Sequence, residues 1–193
     1  MKSICVFCGS SAGNRPEYAE AARRMGEALA RRKLKLVYGG GRVGLMGEIA
    51  RSVLAAGGEV VGVIPESLMR KELAYEDLTE LRVVGTMHER KAMMADFADA
   101  FVAMPGGFGT FEEFCEVLTW AQLGIHRKPC ALFNVNRYYD GMLALFDHAV
   151  AEGFVRPAHR SMVIAEDDAE RLLDRLAAYR APTVEKWLTP SAT

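Results

Sequence analysis

Pro105–Phe114, PGGFGTFEEF, is the stretch from which the rest of the chain is read. The apolar run just before it, Ala100 to Met104 (AFVAM), has the composition of a buried strand. Gly106, Gly107 and Gly109 then let the backbone turn sharply and approach a ligand closely. Thr110 stands where a helical pattern begins, and Glu113 three residues on completes a capping box, so Thr110 is expected as the N-cap. Strand, glycine turn and helix N-terminus together form an anion site, because the free N–H groups point outward and the helix dipole favours negative charge. The Gly-Lys-Ser/Thr ending of a nucleoside-triphosphate loop is missing, so a monophosphate is the expected guest.

Working outward, short apolar runs alternate with helical patterns along the whole chain. Strands are expected at Ser3 to Phe7, Leu34 to Tyr38, Glu59 to Ile64, Leu81 to Val84, Pro129 to Val135 and Met162 to Ala165, besides the Ala100 to Met104 run. Helices are expected from Pro16 to Arg32, Leu45 to Ala56, through MHERKAMMADFA with Met87, Met94 and Phe97 at core spacing, from Thr110 to Leu123, and from Tyr139 to Glu152. A closing helix follows, capped by Asp167 or Asp168. The strands are continuously apolar rather than alternating. That predicts an α/β fold, a Rossmann-like, doubly wound parallel sheet with helices on both faces. Ligands bind such sheets at the carboxyl ends of the strands, and the glycine-rich loops at Gly9, Gly39 and Gly106 all fall on that edge. A single domain over 1–181 and a loosely held tail over 182–193 are expected.

Composition narrows the function. The 193 residues are 50% hydrophobic with a formal net charge of −1, which suits one core and argues against a nucleic-acid surface. No apolar run approaches the roughly 20 residues needed to span a bilayer, and the N-terminus turns glycine-rich too soon for a signal peptide. A cytoplasmic protein without membrane partners is the expectation. Cys5 and Cys8 form a C-x-x-C, but Cys5 falls inside a strand and the spacing sends the two side chains to opposite faces, so buried, reduced thiols are expected. The four histidines (88, 126, 148 and 159) lack the spacing of a metal site, and neither metal nor cofactor is expected.

Gly39, Gly41 and Gly44 satisfy G-x-G-x-x-G after a strand and before a helix. Three readings stand: a dinucleotide fingerprint, a turn for close helix–sheet packing, and a second wall of the nucleotide pocket. The fingerprint is weakened because it normally follows the first strand of its unit, and because an acidic ribose ligand at Glu66 would come only after Pro65.

PGGFGTFEE, together with CVFCGSS (Cys5 to Ser11), GGGRVGLMG (Gly39 to Gly47), MHERK (Met87 to Lys91) and TWAQLGIH (Thr119 to His126), resembles the LOG family, the cytokinin riboside 5′-monophosphate phosphoribohydrolases, long labelled possible lysine decarboxylases. The likeness runs from about Ile4 to Pro157 with the five motifs in order. It implies hydrolysis of the N-glycosidic bond of N6-prenylated adenosine monophosphates or AMP, giving free base and ribose 5-phosphate, by a homodimer. It further implies Arg90 and Glu113 as the catalytic pair. The implied substrate contacts are Glu72, Arg90, Lys91, Gly107, Phe108, Gly109, Thr110, Phe111, Glu112, Glu113 and Thr119.

The residues carry their own argument for this chemistry. Cleaving a nucleotide's glycosidic bond develops oxocarbenium character on the ribose, which a carboxylate stabilises while positioning or activating water. Glu113 lies a helical turn past the proposed phosphate loop. Two acids beside an anion site need a compensating cation, and Arg90 and Lys91 are the candidates. Decarboxylase chemistry has little support, because Lys91 is the only motif lysine and is committed to charge balance. The alternative is a non-catalytic nucleotide-binding protein of the same fold.

Overall fold

The structure, a computed structural model, describes residues 1–69 and 74–182. Seven strands form one parallel sheet: β1 (Ser3–Phe7), β2 (Lys35–Tyr38), β3 (Val60–Pro65), β4 (Glu80–Val84), β5 (Ala100–Ala103), β6 (Cys130–Phe133) and β7 (Val163–Glu166). Their order across the sheet is β4-β3-β2-β1-β5-β6-β7. The chain winds outward from β1 to β4, returns to lay β5 beside β1, and winds outward again to β7. Cys5 is paired in register with Val37 on one side and Phe101 on the other. The reversal between β1 and β5 is the topological switch point, where doubly wound sheets place their ligands.

The helices are α1 (Pro16–Arg31), α2 (Gly44–Ala55), α3 (Met87–Phe97), α4 (Phe108–Gln122), α5 (Asp140–Ala151), α6 (Pro157–Arg160) and α7 (Ala169–Ala178). Strand alternation divides the core in two. Ile4, Val6 and Cys8 face the layer of α1, α2 and α7, whereas Cys5 and Phe7 face the layer of α3 and α4. Both faces of the sheet are covered, so the expected α/β fold is the one observed. On the first face, α1 and α2 approach through Gly26, where an added Cβ would stand 2.7 Å from the Ser52 Cβ and 2.9 Å from the Ile49 carbonyl oxygen. On the second face, Phe114 of α4 is fully buried, and that burial is worth about 1.5–3 kcal/mol.

Two local signals hold in the structure. Pro16 opens α1, and the Asp168 carboxylate accepts from Arg171 N at 2.9 Å as the N-cap of α7. Element ends shift by a residue or two. Two core assignments fail: Met94 is buried, but Met87 and Phe97 are each 40% exposed. The helical period brings all three near one face, yet α3 meets the sheet mainly through Arg90, Met94 and Ala95. Residues 183–193 of the expected tail lie outside the described residues.

Cys5 and Cys8 are buried on opposite faces of β1, and all four cysteines are free thiols. Burial raises the Cys130 thiol to about 12 and holds Cys5 and Cys8 well above the ordinary thiol range. Native protein at pH 8 is expected to titrate at most one thiol with an aromatic disulfide reagent, the half-buried Cys115. All four should react after denaturation. Fast reaction of a second thiol in the native state would show that the β1 end opens.

Candidate functional site

A cavity of about 340 Å³ lies at the carboxyl edge of the sheet, over the β1/β5 switch point. That size suits a nucleotide-sized ligand. Its floor is the end of β1 and its loop, Val6 to Ser10. One wall is the start of α4, Gly107 to Thr110 with Glu112 and Glu113; the other carries Gly39, Met46, Leu68, Met87, Arg90 and Met94.

The α4 wall differs from the expected one. The helix begins at Phe108 with Gly107 as N-cap, so Thr110 is the third helical residue and the capping box does not form. Thr110 is instead buried, with its hydroxyl packed against Gly106. A Cβ on Gly106 would stand 2.1 Å from the Thr110 Oγ1 and 2.9 Å from the Gly9 nitrogen. Tight packing therefore claims the side chain that the local pattern assigns to capping. The first amide to donate within the helix is Phe111 N, to Gly107 O at 3.1 Å. The N–H groups of Phe108, Gly109 and Thr110 are left without an intrahelical acceptor, which is the donor set of an anion site.

Arg90 reaches the cavity from beneath the sheet edge. It is only 5% exposed. Its Nε donates to the Val63 carbonyl at 3.1 Å and its Nη2 to the Gly39 carbonyl at 3.0 Å. Hydrogen bonds from a charged donor contribute about 1.5–3 kcal/mol each, so the guanidinium is firmly placed. The α3 cap aims the helix: the Thr86 hydroxyl accepts from Glu89 N at 3.1 Å, and the Glu89 carboxylate accepts from Gly85 N at 2.8 Å. Gly39 owes its identity to Arg90, because an added Cβ would stand 2.0 Å from Nη2.

The same geometry decides among the readings of the Gly39–Gly44 motif. At the α2 N-terminus, Leu45 N and Met46 N both donate to the Gly9 carbonyl, at 3.0 and 3.3 Å. These amides are already used within the chain and cannot cradle a pyrophosphate as a dinucleotide fingerprint would. Gly44 has φ +58, and its Cβ position would lie 2.3 Å from the Ser10 backbone. Close packing and a second cavity wall both describe the motif.

The electrostatics agree with the arrangement. Burial is the main cause of the raised Cys5 and Cys8 thiols, and the Glu113 charge adds to both, while Arg90 works the other way on Cys5. Glu113 and Arg90 therefore both act on the end of β1. Lys91 bridges Glu112 at 2.5 Å and Glu116 at 3.0 Å. Burial works against its ammonium, but those two acids together hold its pKa above the ordinary lysine range. Lys91 thus balances acidic charge on α4, as expected, without lining the cavity.

The remaining expected site residues divide. Gly107, Phe108, Gly109, Thr110, Glu112, Glu113 and Arg90 line one cavity. Phe108, 90% exposed, stands at its mouth. Phe111 turns away to pack on Tyr138 and Tyr139. Thr119 is exposed and donates to Cys115 O of its own helix at 2.7 Å, off the cavity. Glu72 lies outside the described residues. Cys8, Ser10 and the methionines 46, 87 and 94 also line the cavity; none of them was an expected substrate contact, although all but Met94 lie in the motifs that carry the family resemblance. Among the described residues, no group of three or more His, Cys, Asp or Glu could hold a metal ion, and no helix is long and apolar enough to cross a membrane.

Comparison with known proteins places this geometry. Residues 46–176 match the family model described as "Possible lysine decarboxylase". The chain is 55% identical over 179 residues to a probable cytokinin riboside 5′-monophosphate phosphoribohydrolase of Oryza sativa subsp. japonica, covering 93% of this chain and 79% of that one. It is 55% identical over 182 residues to the cytokinin riboside 5′-monophosphate phosphoribohydrolase of Rhodococcoides fascians, covering 94% and 90%. Among solved structures, TM1055 aligns with a TM-score of 0.71 at 22% identity over 93% of this chain and all of that one. The molybdenum cofactor carrier protein of Chlamydomonas reinhardtii aligns at 0.69 and 20% identity over 92% and 99%. These two likenesses establish the fold alone. On the family model and the sequence identities, the chain belongs to the LOG family, the cytokinin riboside 5′-monophosphate phosphoribohydrolases.

Proposed function

We propose that this protein hydrolyses the N-glycosidic bond of adenosine 5′-monophosphates, N6-modified ones included, releasing the free base and ribose 5-phosphate. The observation that carries the reading is one cavity lined by the α4 N-terminus, Glu113 and Arg90 together. The 5′-phosphate binds the free N–H groups of the first α4 turn. Glu113 is five residues beyond Phe108, about 7.5 Å along the helix, a span comparable with that from a 5′-phosphate to its own anomeric carbon. The C1′–N9 bond breaks with its electron pair passing to the purine. Water adds to C1′ as hydroxide while Glu113 stabilises the cationic sugar and takes the water's other proton; that proton passes on to the purine, so the base leaves neutral and Glu113 is ionised again. Arg90, fixed by two carbonyls, supplies positive charge to the same cavity. The site residues work without a metal or cofactor in this scheme, and the protein is taken as cytoplasmic.

A homodimer belongs to the same reading. Helix α5 carries Met142, Leu143, Leu145 and Phe146, yet none of its residues is fully buried. Leu145 is 61% exposed, and Leu123 and Ile125 beyond α4 are 60% and 66% exposed. Thr119, a substrate contact by family resemblance, points away from its own cavity and would serve a second copy's site. Light scattering is expected to report twice the 21.2 kDa chain mass, and Leu145→Asp to shift it toward one chain; a monomeric parent would remove this part of the reading.

The direct test is metal-free incubation with AMP and with isopentenyladenosine monophosphate, read by mass. Free base and ribose 5-phosphate are expected, and the ratio of the two rates ranks the substrates. Nucleotide bound without release of base would instead identify a binding protein on the same fold. Glu113→Gln should keep AMP affinity and lower turnover by about 10²-fold or more. Unchanged turnover in that variant would move the catalytic role to another residue.

A further inference from the structure

We infer that Tyr138 is a positioning residue of the anion loop: by holding the Gly106 carbonyl, its hydroxyl turns the Gly107 N–H toward the substrate phosphate. The inference deepens the proposed function and rests on its placement of the phosphate.

Three successive carbonyls of the loop after β5 are each taken by a donor. Met104 O accepts from the Tyr139 hydroxyl at 2.6 Å, Pro105 O from Gly9 N at 3.0 Å, and Gly106 O from the Tyr138 hydroxyl at 2.5 Å. The peptides are trans. In a trans peptide the C=O and the following N–H point in opposite directions, so fixing one aims the other. The Met104–Pro105 peptide has no N–H to aim. The Pro105–Gly106 peptide is fixed by backbone. The Gly106–Gly107 peptide is fixed by a side chain, and its N–H points away from Tyr138. Among the described residues, Gly107 N has no acceptor.

This peptide is the one that needs holding. It joins two glycines, and an added Cβ on Gly107 would meet nothing within 4 Å. Gly106 is packed against Thr110 and Gly9, but on the Gly107 side no steric contact limits the peptide, which leaves the Tyr138 hydroxyl to fix its carbonyl. Rotated, it would present the Gly106 oxygen to an anion instead of the Gly107 N–H. Gly106 is only half-buried, so water could satisfy its carbonyl. Folding does not demand the tyrosine contact; aiming the amide does.

The segment before Tyr138 is built to deliver it. Asn136 and Arg137 both have left-handed backbones, φ 51 and φ 60. Asparagine tolerates that region, but arginine there is uncommon. Asp140 and Asn134 hold the turn: Arg137 Nε donates to Asp140 Oδ2 at 2.6 Å, Asn134 Nδ2 to Asp140 Oδ1 at 2.8 Å, and Tyr139 N to Asn134 Oδ1 at 2.7 Å. The Tyr138 ring is set by Tyr18, Phe111 and Tyr139, with centroids 5.9, 6.3 and 5.0 Å away. Strain maintained by surrounding contacts is a mark of functional positioning.

The test compares AMP with adenosine, which differ only in the phosphate. Calorimetry on the full chain carrying Glu113→Gln gives the two affinities with and without Tyr138→Phe. The parent should prefer AMP, and Tyr138→Phe should reduce that preference about tenfold, the scale of one hydrogen bond to a charged group, while adenosine affinity stays unchanged. Tyr139→Phe is the control: it should lower the unfolding temperature and keep the preference. A preference retained within twofold in Tyr138→Phe overturns the inference. So does an equal loss in Tyr139→Phe, which would make the effect one of loop packing. A parent without preference for AMP overturns the phosphate placement itself, and is distinguished by appearing before any tyrosine is changed.

Discussion

Gly9 is where the ligand edge is held together. Its N–H donates to Pro105 O, and its carbonyl accepts from Leu45 N and Met46 N. One residue thereby joins the end of β1, the loop that leads into α4, and the start of α2. The approach is close on every side: an added Cβ on Gly9 would stand 3.0 Å from Ser11 O and 3.3 Å from the Gly106 Cα. A larger residue at this point would push the neighbouring backbone of Ser11 or Gly106 aside by a few tenths of an ångström. The contact has a functional consequence. It uses the first amides of α2 and leaves those of α4, so of these two helix N-termini only that of α4 is available to an anion.

The second constraint is Arg90. Burying a guanidinium is costly unless it is hydrogen-bonded, and the carbonyls of Val63 and Gly39 meet that need. They come from the ends of β3 and β2, so the arginine also ties α3 across the sheet edge. Its charge is delivered to the cavity on a rigid mount. The acidic residues of α4 are treated separately: Glu112, at the cavity's edge, and Glu116, off it, are answered by Lys91. Two cations that are neighbours in sequence thus serve different purposes, because successive helical residues point about 100° apart.

Several site features were legible in the residues and several were not. Of the glycines of PGGFGTFEEF, Gly106 makes a close approach, to Thr110 and Gly9, and Glu113 and Arg90 line one cavity. The capping box does not form, because Thr-x-x-Glu is a local pattern, whereas the Thr110 hydroxyl is claimed by packing against Gly106. G-x-G-x-x-G suggested a dinucleotide because that pattern records backbone freedom without saying what comes close. Here the close neighbours are Arg90 at Gly39 and the Ser10 backbone at Gly44. Tyr138 carried no signal, since its contact with Gly106 spans 32 residues of sequence.

The sequence by itself determined the fold class. Continuous apolar strands alternating with amphipathic helices can bury their surfaces only in a parallel sheet covered on both faces. It also determined the family, because five motifs in order survive as residue types whatever their contacts. Tertiary structure alone decided which motif does what. The β1–β5 adjacency, the consumption of the α2 amides by Gly9 and the reach of Arg90 to two carbonyls are long-range contacts. Their geometry depends on how strands order and helices cross, and no local window of residues encodes that.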